Sequence, residues 1–369
     1  MKSIKSIKTL KGKTVLLRAD FNVSINKDGS IGDTFRIDKT LPTLDHLLKL
    51  GAKVVIVSHL GDDGSETLFP VAQYLAKKKY KGYFDANMDA MDIQQGVDEL
   101  QAGEILLIEN IRGFDEEKKN DSKFAGFLAS LADIYVNDAF SVSHRKHASI
   151  VGVPKIIPSY AGLQLIDEIT NLNKALKPKH PFFFILGGAK FDTKLPLLKK
   201  YVDSADAVFV GGALANTLLK ERGFEIGTSL SETGVKGLKA LTKNPKLLLP
   251  MDVIVENNKK YISTEVEEIL PEDCIIDIGT ETLTRLKPLI EKAKLIVWNG
   301  PIGKIDDGTI DLLKLLAKSK AEVIIGGGDT VEIITKMKMH KKFTFVSTGG
   351  GATLDYLANG TLPGIQALG

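Results

Sequence analysis

Charged and polar side chains recur just beyond the short apolar runs of the first half of the chain. Arginine presents a planar fork of donors that suits carboxylate and phosphate groups. Taken one at a time, an arginine or histidine in such a position is more often a surface or packing residue. His144 and His147 could form part of a zinc site, but the sequence offers no pattern for a third ligand. Read together, three arginines and two histidines predict a site for a small anionic metabolite. The set is Asp20, Asn22, Arg36, His59, Arg112, His144 and Arg145.

Glycine clusters follow four apolar runs in the second half of the chain, at residues 187–188, 211–212, 326–328 and 349–351. Glycine lets backbone N–H groups approach a ligand, and a helix start adds partial positive charge, so such loops can cradle phosphate. In IGGGDTV (325–331), Asp329 is a candidate Mg²⁺ ligand, and Thr330 is a candidate helix cap and phosphate donor. The same segment is explained equally well as a tight turn in which Asp329 or Thr330 caps the following helix.

Two lysines follow another of these glycine pairs, in LGGAKFDTK (186–194). Lys190 and Lys194 are four residues apart, so at a helix start they would share one face and point at the same phosphates. A solvated lysine face is the alternative. The segment VWNGPIG (297–303) ends a predicted strand in a rigid turn that is a candidate wall for a base or ribose.

The elements that must position these residues alternate between apolar, β-branched strands and amphipathic helices. That alternation predicts parallel sheets covered on both faces, and it occurs in both halves, so we expect two doubly wound α/β domains. Residues 160–177 predict one helix joining them, between prolines at 154, 158, 178 and 181, and residues 27–30 predict a hairpin turn. The predicted strands are 15–18, 54–58, 105–108, 134–137, 182–186, 207–210, 253–255, 295–298, 323–325 and 344–346.

The length, charge balance and cysteine content of the chain exclude several classes of protein. The chain has 369 residues, enough for about two domains, with 43% hydrophobic and 26% charged residues, typical of globular proteins. The charges are 49 basic and 46 acidic, a net +3 that does not predict a nucleic-acid or membrane partner. Cys274 is the one cysteine, which fits a reducing cytoplasm, and the N-terminal residues do not read as a secretory signal. The P-loop, protein-kinase and complete dinucleotide-binding motifs are missing from the sequence.

The motifs, in their order, resemble the phosphoglycerate kinase family over residues 15–368. The resemblance implies two Rossmann-like lobes that bend about a hinge in a monomer. It assigns residues 1–157 to a triose-phosphate-binding lobe, 158–177 to the joining helix, 178–355 to a nucleotide-binding lobe and 356–369 to a tail returning to the first lobe. The matching segments are VLLRADFNV (15–23), SHLG (58–61), YVNDAF (135–140), SHRKHAS (143–149), LGGAK (186–190), VWNGP (297–301), IGGGDT (325–330) and STGGGAT (347–353).

The resemblance also implies the reaction, which is reversible phosphoryl transfer between 1,3-bisphosphoglycerate and MgADP, giving 3-phosphoglycerate and MgATP. The triose-site positions are Asp20, Asn22, Arg36, His59, Arg112 and Arg145. The nucleotide positions are Gly188, Ala189, Lys190, Lys194, Gly212, Ala213, Asn299, Pro301, Asp306, Gly327, Gly328, Asp329 and Thr330, with Asp329 toward Mg²⁺. Arg36, Lys194, Gly328 and Gly351 match the groups that stabilise the transferring phosphoryl group.

This chain departs from the family pattern near both ligands. Asp62 stands where the family usually has an arginine, Ser141 and Ala213 replace glycines, and Asp306 replaces a glutamate. Losing the charge-assisted hydrogen bond of an arginine costs ~1.5–3 kcal/mol, so we expect weaker triose-phosphate binding and an improvement from Asp62→Arg. Two alternatives follow: a kinase for another small carboxylate, or a nucleotide-binding relic with a regulatory role.

Overall fold

The computed structural model describes residues 1–304 and 307–369, apart from the side chain of Asp192. Asp306, which was expected near a ribose, lies outside the described residues. The chain divides into two compact units. The first unit comprises Met1–Thr170 with Thr361–Gly369, and the second comprises Asn171–Gly360.

A parallel sheet forms the centre of the first unit. Among the described residues its strands lie in the order β3-β4-β2-β1-β5-β6. The central strands are buried along almost their whole length, because helices cover both faces, and this is why they read as continuous apolar runs. The strands are β1 (Thr14–Arg18), β2 (Lys53–Val57), β3 (Gly82–Asp85), β4 (Ile105–Ile108), β5 (Ile134–Asn137) and β6 (Ser159–Ala161).

The second unit is built on another parallel sheet with an added antiparallel layer. Over the described residues, the parallel strands lie in the order β15-β14-β13-β7-β8-β9, and the antiparallel strands in the order β11-β10-β12. The parallel strands are β7 (Phe182–Leu186), β8 (Ala207–Val210), β9 (Leu247–Leu248), β13 (Leu295–Asn299), β14 (Glu322–Gly326) and β15 (Phe345–Val346). The antiparallel strands are β10 (Asp252–Asn257), β11 (Lys260–Glu265) and β12 (Cys274–Ile278).

Helices fill the connections between parallel strands, as a parallel sheet requires. No helix among the described residues combines the length and apolarity that crossing a bilayer would require. The first-unit helices are α1 (Phe35–Lys49), α2 (Phe69–Lys77), α3 (Ala90–Glu99), α4 (Asp115–Lys119) and α5 (Ser122–Ser130), and α6 (Leu163–Leu176) runs from the first unit into the second. The second-unit helices are α7 (Phe191–Ser204), α8 (Gly212–Glu221), α9 (Leu238–Thr242), α10 (Thr280–Lys292), α11 (Asp307–Leu316), α12 (Gly328–Lys336) and α13 (Gly351–Asn359), and α14 (Pro363–Gln366) belongs to the first unit.

The predicted α/β class and two parallel sheets are confirmed, but two details of the prediction are wrong. The helix predicted from Tyr160 begins at Leu163, because Ser159–Ala161 pairs as an edge strand with β5. The Asp138 carboxylate then accepts hydrogen bonds from the backbone N–H groups of Gln164 and Leu165 and fixes the helix start there. The antiparallel layer was not predicted, because β11 is polar and exposed.

Candidate active site

The polar residues of the first unit lie beyond the carboxyl ends of its parallel strands, the usual ligand-binding edge of an open α/β sheet. Asp20 follows β1, His59 follows β2 and Arg112 lies in a short 3₁₀ turn after β4. Arg36 occupies the first turn of α1, and Arg145 follows a 3₁₀ turn beyond β5. The fold therefore brings these sequence-predicted residues to one rim.

His59 lies buried at the centre of the cations of this rim. Burial lowers its pKa well below the ordinary value, and the guanidinium groups of Arg18, Arg112, Arg36 and Arg145 lower it further. The imidazole is therefore neutral at physiological pH and serves as a hydrogen-bonding group. The concentrated positive charge of the four arginines favours a multiply charged anion at this rim.

Asp20 and its neighbours position one of these arginines. Arg36 Nη1 lies 3.3 Å from Asp20 Oδ2, and the hydroxyl of Ser141 donates to the same oxygen at 2.5 Å. Asn22 Oδ1 accepts from the backbone N–H of Gly61 at 3.0 Å, which joins the segment after β1 to the loop after β2. Ser141, a departure from the family pattern, thus contributes directly to the rim.

Asp62, the other departure at this rim, pairs with Arg112. Arg112 Nη1 donates to Asp62 Oδ1 at 3.0 Å and also to the carbonyl oxygen of Gly61. The Arg112 side chain is 2% exposed, whereas that of Asp62 is 95% exposed. The carboxylate therefore covers the buried guanidinium from the solvent side.

Arg18 lies at the same rim, although the sequence patterns did not select it as a candidate site residue. Its Nε donates to Ser149 Oγ at 2.8 Å, and its Nη2 lies 3.3 Å from His59 Nδ1. Ser149 in turn donates its hydroxyl and its backbone N–H to the buried carboxylate of Glu117. Arg18 is the last residue of β1, so its charge alone, in an otherwise apolar strand, was the signal that could have identified it.

Four helices of the second unit begin at or just after the glycine clusters. These are α7, α8, α12 and α13, and they follow β7, β8, β14 and β15 of the same parallel sheet. A helix N-terminus offers backbone N–H groups and partial positive charge to an anion. In α7 and α8 some of these N–H groups already donate within the protein, those of Phe191 to Glu232 and of Gly212 to the Ile302 carbonyl oxygen. Their convergence at one sheet edge makes this edge suitable for a polyphosphate.

Lys194 supplies a buried positive charge at the same edge. Its side chain is 7% exposed, and Nζ donates to the carbonyl oxygen of Gly187. Burial lowers the pKa of Lys194 to about 8, the Asp329 carboxylate raises it and Lys190 lowers it. Lys190 precedes α7 in extended backbone and is exposed, so the expectation of two lysines on one helical face is wrong.

Two buried polar atoms at this edge have no hydrogen-bond partner among the described residues: Asn299 Nδ2 and Thr330 Oγ1. Thr330 was a candidate cap for α12, but that helix begins after Gly327, and the Thr330 hydroxyl caps nothing. Gly327 has a φ of +103°, a conformation that disfavours side chains. Buried polar groups are normally paired, so each atom has hydrogen-bonding capacity left for a ligand group or an ordered water.

An apolar-walled cavity of about 470 Å³ opens beside these groups. Gly188, Ala189, Gly212, Ala213, Pro301 and Asp329, all predicted nucleotide residues, line it. The opposite wall comes from β12 and its surroundings, including Leu230, Pro250, Ile275 and Ile276, which the sequence reasoning did not select. A volume and lining of this kind suit a flat aromatic base.

Asp329 is the residue that would bind a divalent cation at this edge. It lies in the first turn of α12, lines the cavity and acts on Lys194. The described residues contain no cluster of three acidic, histidine or cysteine side chains that would form a metal cage. One carboxylate with substrate phosphates is how proteins usually hold Mg²⁺, so the residues present fit a magnesium ion carried by a nucleotide.

Comparison with known proteins gives one consistent result. The family model described as phosphoglycerate kinase matches residues 4–360. A phosphoglycerate kinase of a Wolbachia strain from Drosophila simulans is 43% identical, covering 97% of this chain and 96% of its own, and that of Coprothermobacter proteolyticus is 38% identical with the same coverage. The solved phosphoglycerate kinases of Coxiella burnetii and Pyrococcus horikoshii share 35% and 30% identity. Their TM-scores are 0.85 and 0.87, covering 99% and 100% of this chain and 98% of each of theirs.

Proposed function

This chain belongs to the phosphoglycerate kinase family, and we propose that its first unit binds the triose phosphate and its second unit binds the nucleotide. It is a phosphotransferase with a carboxyl group as acceptor, and its reaction is the reversible transfer between 1,3-bisphosphoglycerate and ADP in glycolysis. Kinase action on another carboxylate and a regulatory relic are not favoured.

The assignment of the triose site rests on the convergence of Arg18, Arg36, Arg112 and Arg145 on the buried His59. 3-Phosphoglycerate carries a carboxylate and a phosphate, so it needs several donors and little apolar contact. Arginine forks satisfy both groups, and a neutral imidazole donates to an oxygen without adding charge. Asp20 and Asn22 complete the site by holding Arg36 and the Gly61 loop in place.

The nucleotide site uses the helix N-termini, Lys194 and the apolar cavity together. The base enters the cavity, and the phosphates accept hydrogen bonds from the backbone at Gly328 and Gly351 and from Thr330. Asn299 and Lys190 lie beside the phosphate path. Asp329 would hold Mg²⁺ together with the phosphates, and the ion would supply positive charge that neutralises them.

The transfer itself requires positioning and stabilisation of spread negative charge rather than covalent help. The attacking oxygen belongs to a carboxylate, so no general base is needed. Arg36 from the first unit and Lys194 from the second stabilise the transferring phosphoryl group. The proposal includes a hinge-bending motion that excludes water during the transfer, and a monomer acting in the cytoplasm.

The test is steady-state ADP production from MgATP and 3-phosphoglycerate, with one variant in each unit. Arg145→Ala should raise the KM for 3-phosphoglycerate at least tenfold and leave that for ATP within twofold. Thr330→Val, nearly isosteric at a buried and unpaired hydroxyl, should raise the KM for ATP and spare that for 3-phosphoglycerate. Unchanged constants, or both constants changed alike in each variant, would overturn the assignment of the two sites.

A further inference from the structure

The pair formed by Arg112 and Asp62 joins groups with opposite exposure. Arg112 is buried, its Nε has no partner among the described residues, and its Nη1 donates to the Asp62 carboxylate. Asp62 projects almost wholly into solvent from the loop after His59. An anion approaching this guanidinium from solvent therefore meets a carboxylate that already occupies its outer donor.

The Asp62 carboxylate stabilises the charged form of Arg112, whose surroundings otherwise disfavour it. Burial, Arg145 and Arg18 lower the pKa of Arg112, which means that the guanidinium is surrounded by like charge and deprived of water. Asp62 raises the pKa through its charge and its hydrogen bond. A substrate phosphate would stabilise the charged guanidinium in the same way as Asp62 does. The Asp62 carboxylate and the substrate phosphate therefore compete for Arg112 Nη1.

We propose that Asp62 is an internal competitor of the triose substrate, a carboxylate that holds Arg112 in the empty enzyme and must swing into solvent when the substrate anion binds. This inference rests on the proposed triose site. Because the Asp62 side chain is so exposed, its release costs little, and it sets substrate affinity without blocking turnover. A carboxylic acid that also carries a phosphate group has more negative charge than one without it, and therefore displaces Asp62 more effectively. Asp62 thus also increases the selectivity for acids that carry a phosphate.

The neighbouring aspartate provides a matched control. Asp63 is also exposed, but its carboxylate accepts hydrogen bonds from the backbone and hydroxyl of Ser65. Asp62→Asn and Asp63→Asn therefore remove the same charge from adjacent positions, and the first alone weakens the hold on Arg112, because Asn keeps an acceptor without the charge. If the loss of one negative charge near the arginines acted only through long-range electrostatics, both variants would change the KM for 3-phosphoglycerate equally.

The experiment measures the KM for 3-phosphoglycerate, the KM for ATP, kcat and the melting temperature of the wild type and both variants, at low and high salt. Asp62→Asn should lower the KM for 3-phosphoglycerate by roughly two- to fivefold, the upper part of the range for an exposed ion pair. The KM for ATP, kcat and melting temperature should stay the same, and Asp63→Asn should match the wild type. The gain should shrink at high salt.

Other outcomes overturn the inference. A raised KM for 3-phosphoglycerate in Asp62→Asn would mean that Asp62 holds Arg112 in its productive position. An unchanged KM, or equal falls in both variants, would mean that the pair does not compete with substrate. The Arg145→Ala variant keeps this failure separate from a failure of the triose site, because it reports on that site without involving Asp62.

Discussion

At the scale of single residues, Lys194 shows a conflict between stability and activity. Its pKa falls to about 8 in the folded chain, mainly because of burial. At pH 7 the folded state therefore holds a charged ammonium away from water, and this cost disappears as pH rises above the unfolded value. We predict that Lys194→Met stabilises the protein at pH 7 by about 1–3 kcal/mol and lowers kcat at least hundredfold.

Thermal unfolding and steady-state kinetics together check this prediction. Lys190→Met is the control, because Lys190 is exposed and its loss should change stability by less than ~0.5 kcal/mol. The stabilisation from Lys194→Met should shrink as pH is raised toward 10. A destabilised Lys194→Met variant would show instead that the bond to the Gly187 carbonyl is the main role of this lysine.

Ser141 is a second residue whose effect acts through a neighbour. Its hydroxyl and Arg36 share one oxygen of Asp20, so the hydroxyl weakens the hold of Asp20 on Arg36. We predict that Ser141→Ala tightens the Asp20–Arg36 pair beyond what positioning requires, so that Arg36 is less available to the substrate and kcat/KM for 3-phosphoglycerate falls by roughly three- to tenfold, the size of one shared hydrogen bond. The KM for ATP and the melting temperature should stay the same. Unaltered kinetics would refute this coupling.

At the scale of elements, the start of α6 depends on a buried carboxylate. Asp138 Oδ1 accepts from the N–H groups of Gln164 and Leu165, and the hydroxyl of Thr43 also interacts with this carboxyl group. Burial raises the pKa of Asp138 to about 7. The folded state thus binds a proton that the unfolded chain lacks between about pH 4 and 7, and this stabilisation is lost as pH rises through 7.

Two variants separate the charge of Asp138 from its hydrogen bonds. Asp138→Asn keeps an acceptor without the charge, so its melting temperature should vary less than that of the wild type between pH 5.5 and 8.5. Asp138→Ala removes the acceptor as well and, relative to Asp138→Asn, should cost about 1–2 kcal/mol at both pH values, as for other helix caps. Parallel pH profiles for the wild type and Asp138→Asn would contradict the titration of Asp138.

The elements also show what the sequence could and could not predict. Strands such as β7 were predictable because they are buried on both faces and therefore wholly apolar. The β11 strand was not, because its side chains face solvent and its partner is set by the fold. The Asp62–Arg112 pair spans 50 positions, so its geometry depends on loops whose conformation no local pattern specifies.

At the scale of the whole molecule, the last residues of the chain complete the unit in which the chain began. Thr361–Gly369 belongs to the first unit, although the preceding residues belong to the second. Leu362 and Leu368 are buried there, and the N–H of Gly364 donates to the carbonyl oxygen of Ser143 at 2.8 Å. Ser143 lies two residues before Arg145, so the tail supports a turn that carries one of the arginines of the proposed triose site.

Deleting residues 361–369 should therefore affect the two substrates unequally. The loss of two buried leucines, at about 1.5–3 kcal/mol each, should destabilise the first unit and raise the KM for 3-phosphoglycerate at least tenfold. The second unit keeps its own sheet and cavity, so the dissociation constant for MgADP measured by calorimetry should stay within twofold. Leu362→Ala, which leaves the Gly364 hydrogen bond, should show the stability loss with a smaller change in KM. A truncated chain that loses MgADP affinity as well would show that the second unit also depends on the tail.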